Sequence, residues 1–130
     1  MAITLTRIGI RLGNSDSGAH WSAVTNATAA AAQNVYCGFI PTRIELRNIT
    51  DGLINYFTVG DVAAQNWQIT QSTGADVLNT TNGITLLDGS EAVPASTLIA
   101  LGDNGASGQG FTLGTFPLVA SKSYTLHAWR

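Results

Sequence analysis

Charge is scarce in this sequence. Lys, Arg, Asp and Glu make up 11% of its 130 residues, against about 25% in ordinary soluble domains. Lysine occurs once, as Lys122, and the other five basic residues are arginines. Six scattered basic residues and a formal net charge of −2 argue against a nucleic-acid partner, whose phosphates need a basic face. The same shortage excludes a helical bundle, which needs Glu, Lys, Leu and Arg in quantity. Cysteine occurs once, as Cys37, so an intrachain disulfide and a thiolate cluster within one chain are excluded. The two histidines, His20 and His127, show no H-x-x-x-H or H-x-H spacing and read as surface or hydrogen-bonded side chains. No apolar run reaches the roughly 18 residues of a membrane helix. The opening Met1-Ala2-Ile3-Thr4 has no basic and then apolar stretch, so no secretory signal and no membrane partner are expected.

What the chain does have is 16 Thr, 9 Ser, 9 Asn, 14 Gly and 17 Ala, the composition of strands and turns. Its length suits one domain, which buries roughly two-thirds of its unfolded surface. Residues 3–12, ITLTRIGIRL, form an N-terminal strand or arm (1–12) whose apolar alternation changes phase near Arg7, the mark of a bulge. Residues 13–34 read as a long loop with room for one helical turn at the alanine run Ala29 to Ala32, since short helices without an apolar stripe are marginal. Residues 35–130 then form the core of an all-β, antiparallel β-sandwich or jelly-roll-like single domain.

The clearest unit in that core is a hairpin around Asp51-Gly52, a strong turn dipeptide. A two-residue turn there pairs Leu46 with Phe57 and Ile44 with Val59, with those four on the core face. Arg43, Glu45, Arg47, Tyr56 and Thr58 take the other face. Near the turn Asn48 and Asn55 join the core side, and Ile49 and Ile54 join the charged side, an apolar spot open to a partner. A second hairpin is predicted at Asn82-Gly83, with Leu78 opposite Leu87. Further strands are predicted at 35–40, about 65–70, 97–101, 110–113 and 122–129. Pro41, Pro94 and Pro117 fall at strand ends.

Searching for chemistry returns little. The eight carboxylates are dispersed, without a calcium loop, and Asp16, Asp51, Asp61, Asp88 and Asp103 sit beside Gly, Ser or Asn, where a short acceptor stabilises a turn. Gly105-Ala-Ser-Gly108-Gln-Gly110 lacks the Lys-Ser/Thr of a phosphate loop. No G-x-S-x-G occurs, and Cys37 lies in an apolar run as a small buried side chain. The sequence reads as that of a non-enzyme without metal or cofactor. Trp21, Trp67 and Trp129 suit core packing, subunit contacts or a sugar-binding face.

Several stretches carry a resemblance. His20-Trp21-Ser22-Ala23-Val24-Thr25-Asn26, Gly38-Phe39-Ile40-Pro41-Thr42-Arg43-Ile44-Glu45-Leu46 running into Asn48-Ile-Thr-Asp-Gly52, Asn82-Gly83-Ile84-Thr85, Gly110-Phe111-Thr112-Leu113-Gly114 and Tyr124-Thr-Leu-His-Ala-Trp129 resemble small virion proteins of tailed bacteriophages. The nearest role in that group is a capsid decoration, or cement, protein. The resemblance implies a non-catalytic subunit on the capsid surface, made in the bacterial host cytoplasm. Its partners would be the major capsid protein and its own copies, as a dimer or trimer. A surface of Thr, Ser, Asn and Ala suits that role, because such side chains lose little entropy when covered. Candidate contacts to capsid and subunits are Arg7, Arg11, Trp21, Ile49 and Ile54. The alternatives are a carbohydrate- or receptor-binding β domain of a phage fibre and, further off, a self-assembling coat protein. A coat would need a basic RNA-facing sheet, and Glu45 interrupts Arg43 and Arg47.

Overall fold

A computed structural model describes residues 3–10, 18–25, 32–90, 98–99 and 108–130. The chain is all-β, and among the described residues there is no helix. Its strands are β1 (Ile3–Ile10), β2 (Gly18–Thr25), β3 (Gln33–Tyr36), β4 (Arg43–Asn48), β5 (Leu53–Thr58), β6 (Gln65–Thr70), β7 (Asp76–Asp88), β8 (Leu98–Ile99), β9 (Gln109–Leu113) and β10 (Ser123–Trp129). They lie in one sheet in the order β1-β2-β10-β4-β5-β6-β7-β9-β3-β8. The seven from β10 to β3 are antiparallel throughout and form a curled half-barrel; only β8 joins in parallel, against β3.

Burial alternates along the strands because only the concave face is covered. Ile44, Leu46 and Asn48 of β4 are buried, as are Asn55 and Phe57 of β5 and Tyr124, Leu126 and Ala128 of β10. The apolar ones among these pack in one cluster with Val35, Ile84, Phe111 and Leu113 of β3, β7 and β9. In a flat sheet β4 and β3 would lie about 24 Å apart, five strand spacings. The curl brings them into one core.

The kink in β7 makes the curl. Asn79 pairs with Asn66 and Ile84 with Gln65, so residues 80–83 are extra on the β7 side. Asn82 adopts φ 55° in this bulge, a conformation that Asn tolerates better than most residues. Before the bulge β7 pairs with β6, and beyond it with β9. The predicted hairpin at Asn82-Gly83 is therefore absent: the positive φ that Asn-Gly favours serves a bulge inside a continuous strand, and Leu78 does not oppose Leu87. Gly83 is needed for close approach. A Cβ there would lie 2.6 Å from the Gln65 carbonyl carbon and 2.9 Å from the Ala64 oxygen.

The hairpin at Asp51-Gly52 is present with a longer loop. Asn48 pairs with Leu53 and Ile44 with Phe57, so the register is two residues from the predicted one and Ile49–Gly52 form the connection. Asn48 explains the shift: its Oδ1 accepts from the Asp51 backbone N–H at 3.0 Å and its Nδ2 donates to the Asp51 carboxylate at 2.9 Å. A shift of two preserves the faces, so Ile44, Leu46 and Phe57 are buried as predicted, and Asn48 and Asn55 are on the core side. Val59 is the exception. It lies in the turn after β5 and is 62% exposed.

The loop predicted over 13–34 contains β2, which pairs with β1 on one side and β10 on the other, and the start of β3. Its small residues conceal a strand because tertiary pairing, not intrinsic preference, decides here. The predicted helical turn falls mainly on residues 26–31, outside the described residues. The bulge expected near Arg7 is present as a register shift between Arg7 and Gly9.

Replacing Gly83 by Ala forces the kink open. It is expected to cost about 1–3 kcal/mol, as overpacking does, lowering the urea midpoint. Thr115→Ala, in an exposed turn, should stay within about 0.5 kcal/mol.

Candidate docking face

The convex face of β10, β4 and β5 carries an arginine held between aromatic rings. Pleating aims Arg43, Tyr56 and Trp129 away from the core, and the register places Trp129 beside Arg43 and Arg43 beside Thr58. The Arg43 guanidinium carbon lies 4.9 Å from the Tyr56 ring centre and 5.9 Å from the Trp129 ring centre. Its Nη1 donates to Thr58 Oγ1 at 3.2 Å and its Nη2 to Glu45 Oε2 at 3.4 Å. His127 stacks on Trp129 with ring centres 4.4 Å apart and planes at 15°. Arg47 reaches the other Glu45 oxygen at 3.6 Å. The side chains of Arg43 and Arg47 are 40% and 48% exposed, so these ion pairs add little stability. Their effect is to fix the guanidinium as a plane between rings, with less freedom to lose on binding.

Tyr56 is held from its other end. Its hydroxyl donates to Asp76 Oδ2 at 2.5 Å. Desolvation, then this hydrogen bond and the nearby carboxylate charge, push its phenol up to about 12. Beneath the face, the buried amides of Asn55 and Asn66 and the half-buried amides of Gln68 and Asn79 tie three strands together. Asn55 Oδ1 accepts from Asn66 Nδ2 at 3.2 Å and Gln68 Nε2 at 2.9 Å, and Asn66 Oδ1 accepts from Asn79 Nδ2 at 2.9 Å. Asn66 is fully buried, and its Nδ2 also donates to the Trp67 carbonyl at 3.0 Å. Each amide finds partners on the next strand, so the ladder runs from the half-buried edge into the interior without the cost of unpaired buried polar groups.

The predicted contact residues fall in two groups. Arg7 and Trp21 are register partners on β1 and β2, and Trp21 in turn faces Leu126 of β10, next to the strand that carries Trp129. Ile49 is 56% exposed in the β4–β5 turn, and Ile54 is half-buried on the convex face, between Arg47 and Ile69 in the register. Arg11 lies outside the described residues. The arrangement of Arg43, Tyr56, Trp129 and His127 around one point was not predicted. The signal was present in the hairpin, where Arg43 and Tyr56 share a face, but Trp129 is 86 residues away in sequence. Likewise His20 and His127 occupy paired positions of β2 and β10, a juxtaposition that no short spacing reveals.

Cys37 is fully buried, and desolvation pushes its thiol up to about 11, so it is not a thiolate nucleophile near neutral pH. Among the described residues no group of three or more His, Cys, Asp or Glu side chains could hold a metal, and no helix is long and apolar enough to cross a membrane. No protein-family profile, curated protein or solved structure matches the chain.

Two outcomes are expected in titrations. Tyr56 should ionise at about 12, and Asp76→Asn should lower that midpoint in the tyrosinate absorbance, with Tyr56→Phe identifying the signal. The raised folded value means that the Tyr56 contribution to stability is present below its unfolded pKa of about 10 and is lost as pH rises through the folded value. Cys37 should resist a thiol reagent in the native protein at pH about 8 and react at once in denaturant.

Proposed function

We propose that this protein is a non-catalytic virion component of a tailed bacteriophage, a capsid decoration or cement protein. It docks on the outer shell through the side of the sheet formed by β1, β2, β10 and β4. The observation that carries the reading is the clamped Arg43. Arginine, tryptophan and tyrosine are the side chains that most often dominate protein–protein affinity, and here one of each is fixed on a surface in advance. The predicted contacts Arg7 and Trp21 lie on the two strands beyond β10, in register with the core residue Leu126 and not with Trp129, so the clamp alone carries the reading. The low charge of the chain supports the same reading, since interface centres are depleted of Lys, Glu and Asp.

We also propose that the half-barrel closes as a sandwich-like subunit. The arms β10-β4-β5 and β7-β9-β3 contribute to one shared cluster, as two packed layers of a jelly-roll-like subunit would. Partners are the major capsid protein and further copies of the chain, as dimer or trimer, and the site of action is the capsid surface after synthesis in the host cytoplasm.

Co-sedimentation with capsid shells tests this. Arg43→Ala is expected to weaken binding by about 2 kcal/mol, the size of a dominant contact, or roughly 30-fold in Kd. Arg43→Lys should not rescue it, because an ammonium cannot stack as a plane. Removing residues 1–12 takes away β1, which pairs with β2 at the sheet margin, and should abolish shell binding or oligomerisation while leaving a soluble domain. Unchanged assembly of the truncated protein, or wild-type binding by Arg43→Ala, contradicts the proposal.

A further inference from the structure

The β5–β6 turn covers a small cleft whose chemistry differs from that of the Arg43 clamp. Gly60, Asp61, Val62, Gln65, Trp67 and Leu78 line it, with a volume of about 170 Å³. Ligand sites for drug-sized molecules hold about 300–1,000 Å³, so this cleft fits one ring. Its walls are firm. Thr58 N–H donates to Asp61 Oδ2 at 2.8 Å, Asp61 N–H donates to the Thr58 carbonyl at 2.9 Å, and Gln65 N–H donates to the Val62 carbonyl at 3.1 Å. The amide of Asn66 anchors β6 just below Trp67. Gly60, at φ 98°, leaves the rim open, and a Cβ there would meet nothing within 4 Å.

From this cleft the geometry points to a binding site for a neutral pyranose ring of a glycan or polysaccharide. Trp67 offers a half-buried indole face beside the apolar Val62 and Leu78, the surface on which the C–H groups of a sugar ring stack. Around that face stand polar groups of both senses. The Trp67 Nε1–H and the Gln65 amide have no side-chain partner among the described residues, and Asp61 Oδ1 is likewise open, its other oxygen being held by Thr58. One carboxylate, one amide and one indole N–H match the alternating donors and acceptors of vicinal hydroxyls. No cation lines the cleft, and Asp61 repels anionic groups, so a neutral sugar is selected over a phosphate or an acidic one. Trp67 lies on β6, three strand spacings or about 14 Å from Trp129 on β10. Its register partner is Tyr56 on β5, so the cleft borders the Arg43 clamp, and the isolated chain, with no shell present, separates sugar binding from docking.

Titration of the full-length isolated chain with methyl β-glucopyranoside, methyl β-galactopyranoside and N-acetylglucosamine tests this by backbone amide NMR. At least one is expected to bind with Kd of about 1 mM, the strength that one ring provides. Shifts should be confined to Gly60–Trp67 and Leu78. Gln65→Leu and Trp67→Ala should each weaken binding at least about tenfold, and Trp67→Phe should retain part of it, with the native amide spectrum as the folding control. Absence of shifts with all three sugars, shifts elsewhere on the sheet, or affinity unchanged by Gln65→Leu would overturn the assignment. Because no capsid shell is involved, loss of shell docking in the Arg43 variants leaves this result unaffected.

Discussion

Everything in this fold depends on a single sheet being bent far enough to bury its own face. A sheet with one apolar side has to find cover, and among the described residues, which include no helix, the cover is the other end of the same sheet. The bend is concentrated in β7. Four extra residues, 80–83, let one strand leave β6 and join β9 without ending. Gly83 permits the tight contact with Ala64 and Gln65, and the Gly83 carbonyl then accepts from Gly114 N–H at 2.8 Å, tying the start of the β9–β10 connection to the same kink. Core, amide ladder and convex face all take their positions from this one irregularity.

The bend also explains why polar groups lie inside. A curled sheet cannot be filled by aliphatic side chains alone where its strands diverge, and at β5, β6 and β7 the filling is Asn55, Asn66, Gln68 and Asn79. Amides carry both donor and acceptor, so they can follow one another from strand to strand in a way that ionised carboxylates, which only accept, cannot. The result specifies register: sliding β6 by one residue would turn Asn66 to the convex face and leave its partners unpaired in the interior.

How much of this was legible in the sequence follows from which interactions are local. The β4–β5 face assignment survives even though its loop is longer than predicted, because a register shift of two keeps every side chain on its side. The exposed Val59 shows the limit of that reading, since alternation says nothing about where a strand stops. Asn82-Gly83 is the instructive failure. The dipeptide does take positive φ at Asn82, so its local chemistry was read correctly, but whether a positive φ reverses a chain or bulges it depends on the neighbours, and those are β6 and β9. Strand β2 was missed for the same reason: its pairing partners, β1 and β10, stand at opposite ends of the chain. The aromatic clamp joins Arg43 and Tyr56, visible in the hairpin, to Trp129, which only the sheet order supplies.

Scarcity of charge gains a spatial meaning on this sheet. Of the six basic residues, Arg43 and Arg47 converge on Glu45, and Lys122 pairs with Asp51 at 3.2 Å, so these three hold local geometry rather than present free charge. With these three paired, the features that stand out on the described surface are shape, aromatic planes and neutral hydrogen-bonding groups. Those features gather at two neighbouring places on the convex face: the Arg43 clamp, flat and rigid, and the cleft beside Trp67, the register partner of Tyr56, small and lined by open polar groups. A flat aromatic plane fits another protein surface, where water is excluded over a wide area. A ring-sized notch with unpaired donors and acceptors fits a hydroxylated ligand. The two meet at the Tyr56–Trp67 pair of β5 and β6, so one strand boundary divides the flat part of the convex face from its notch.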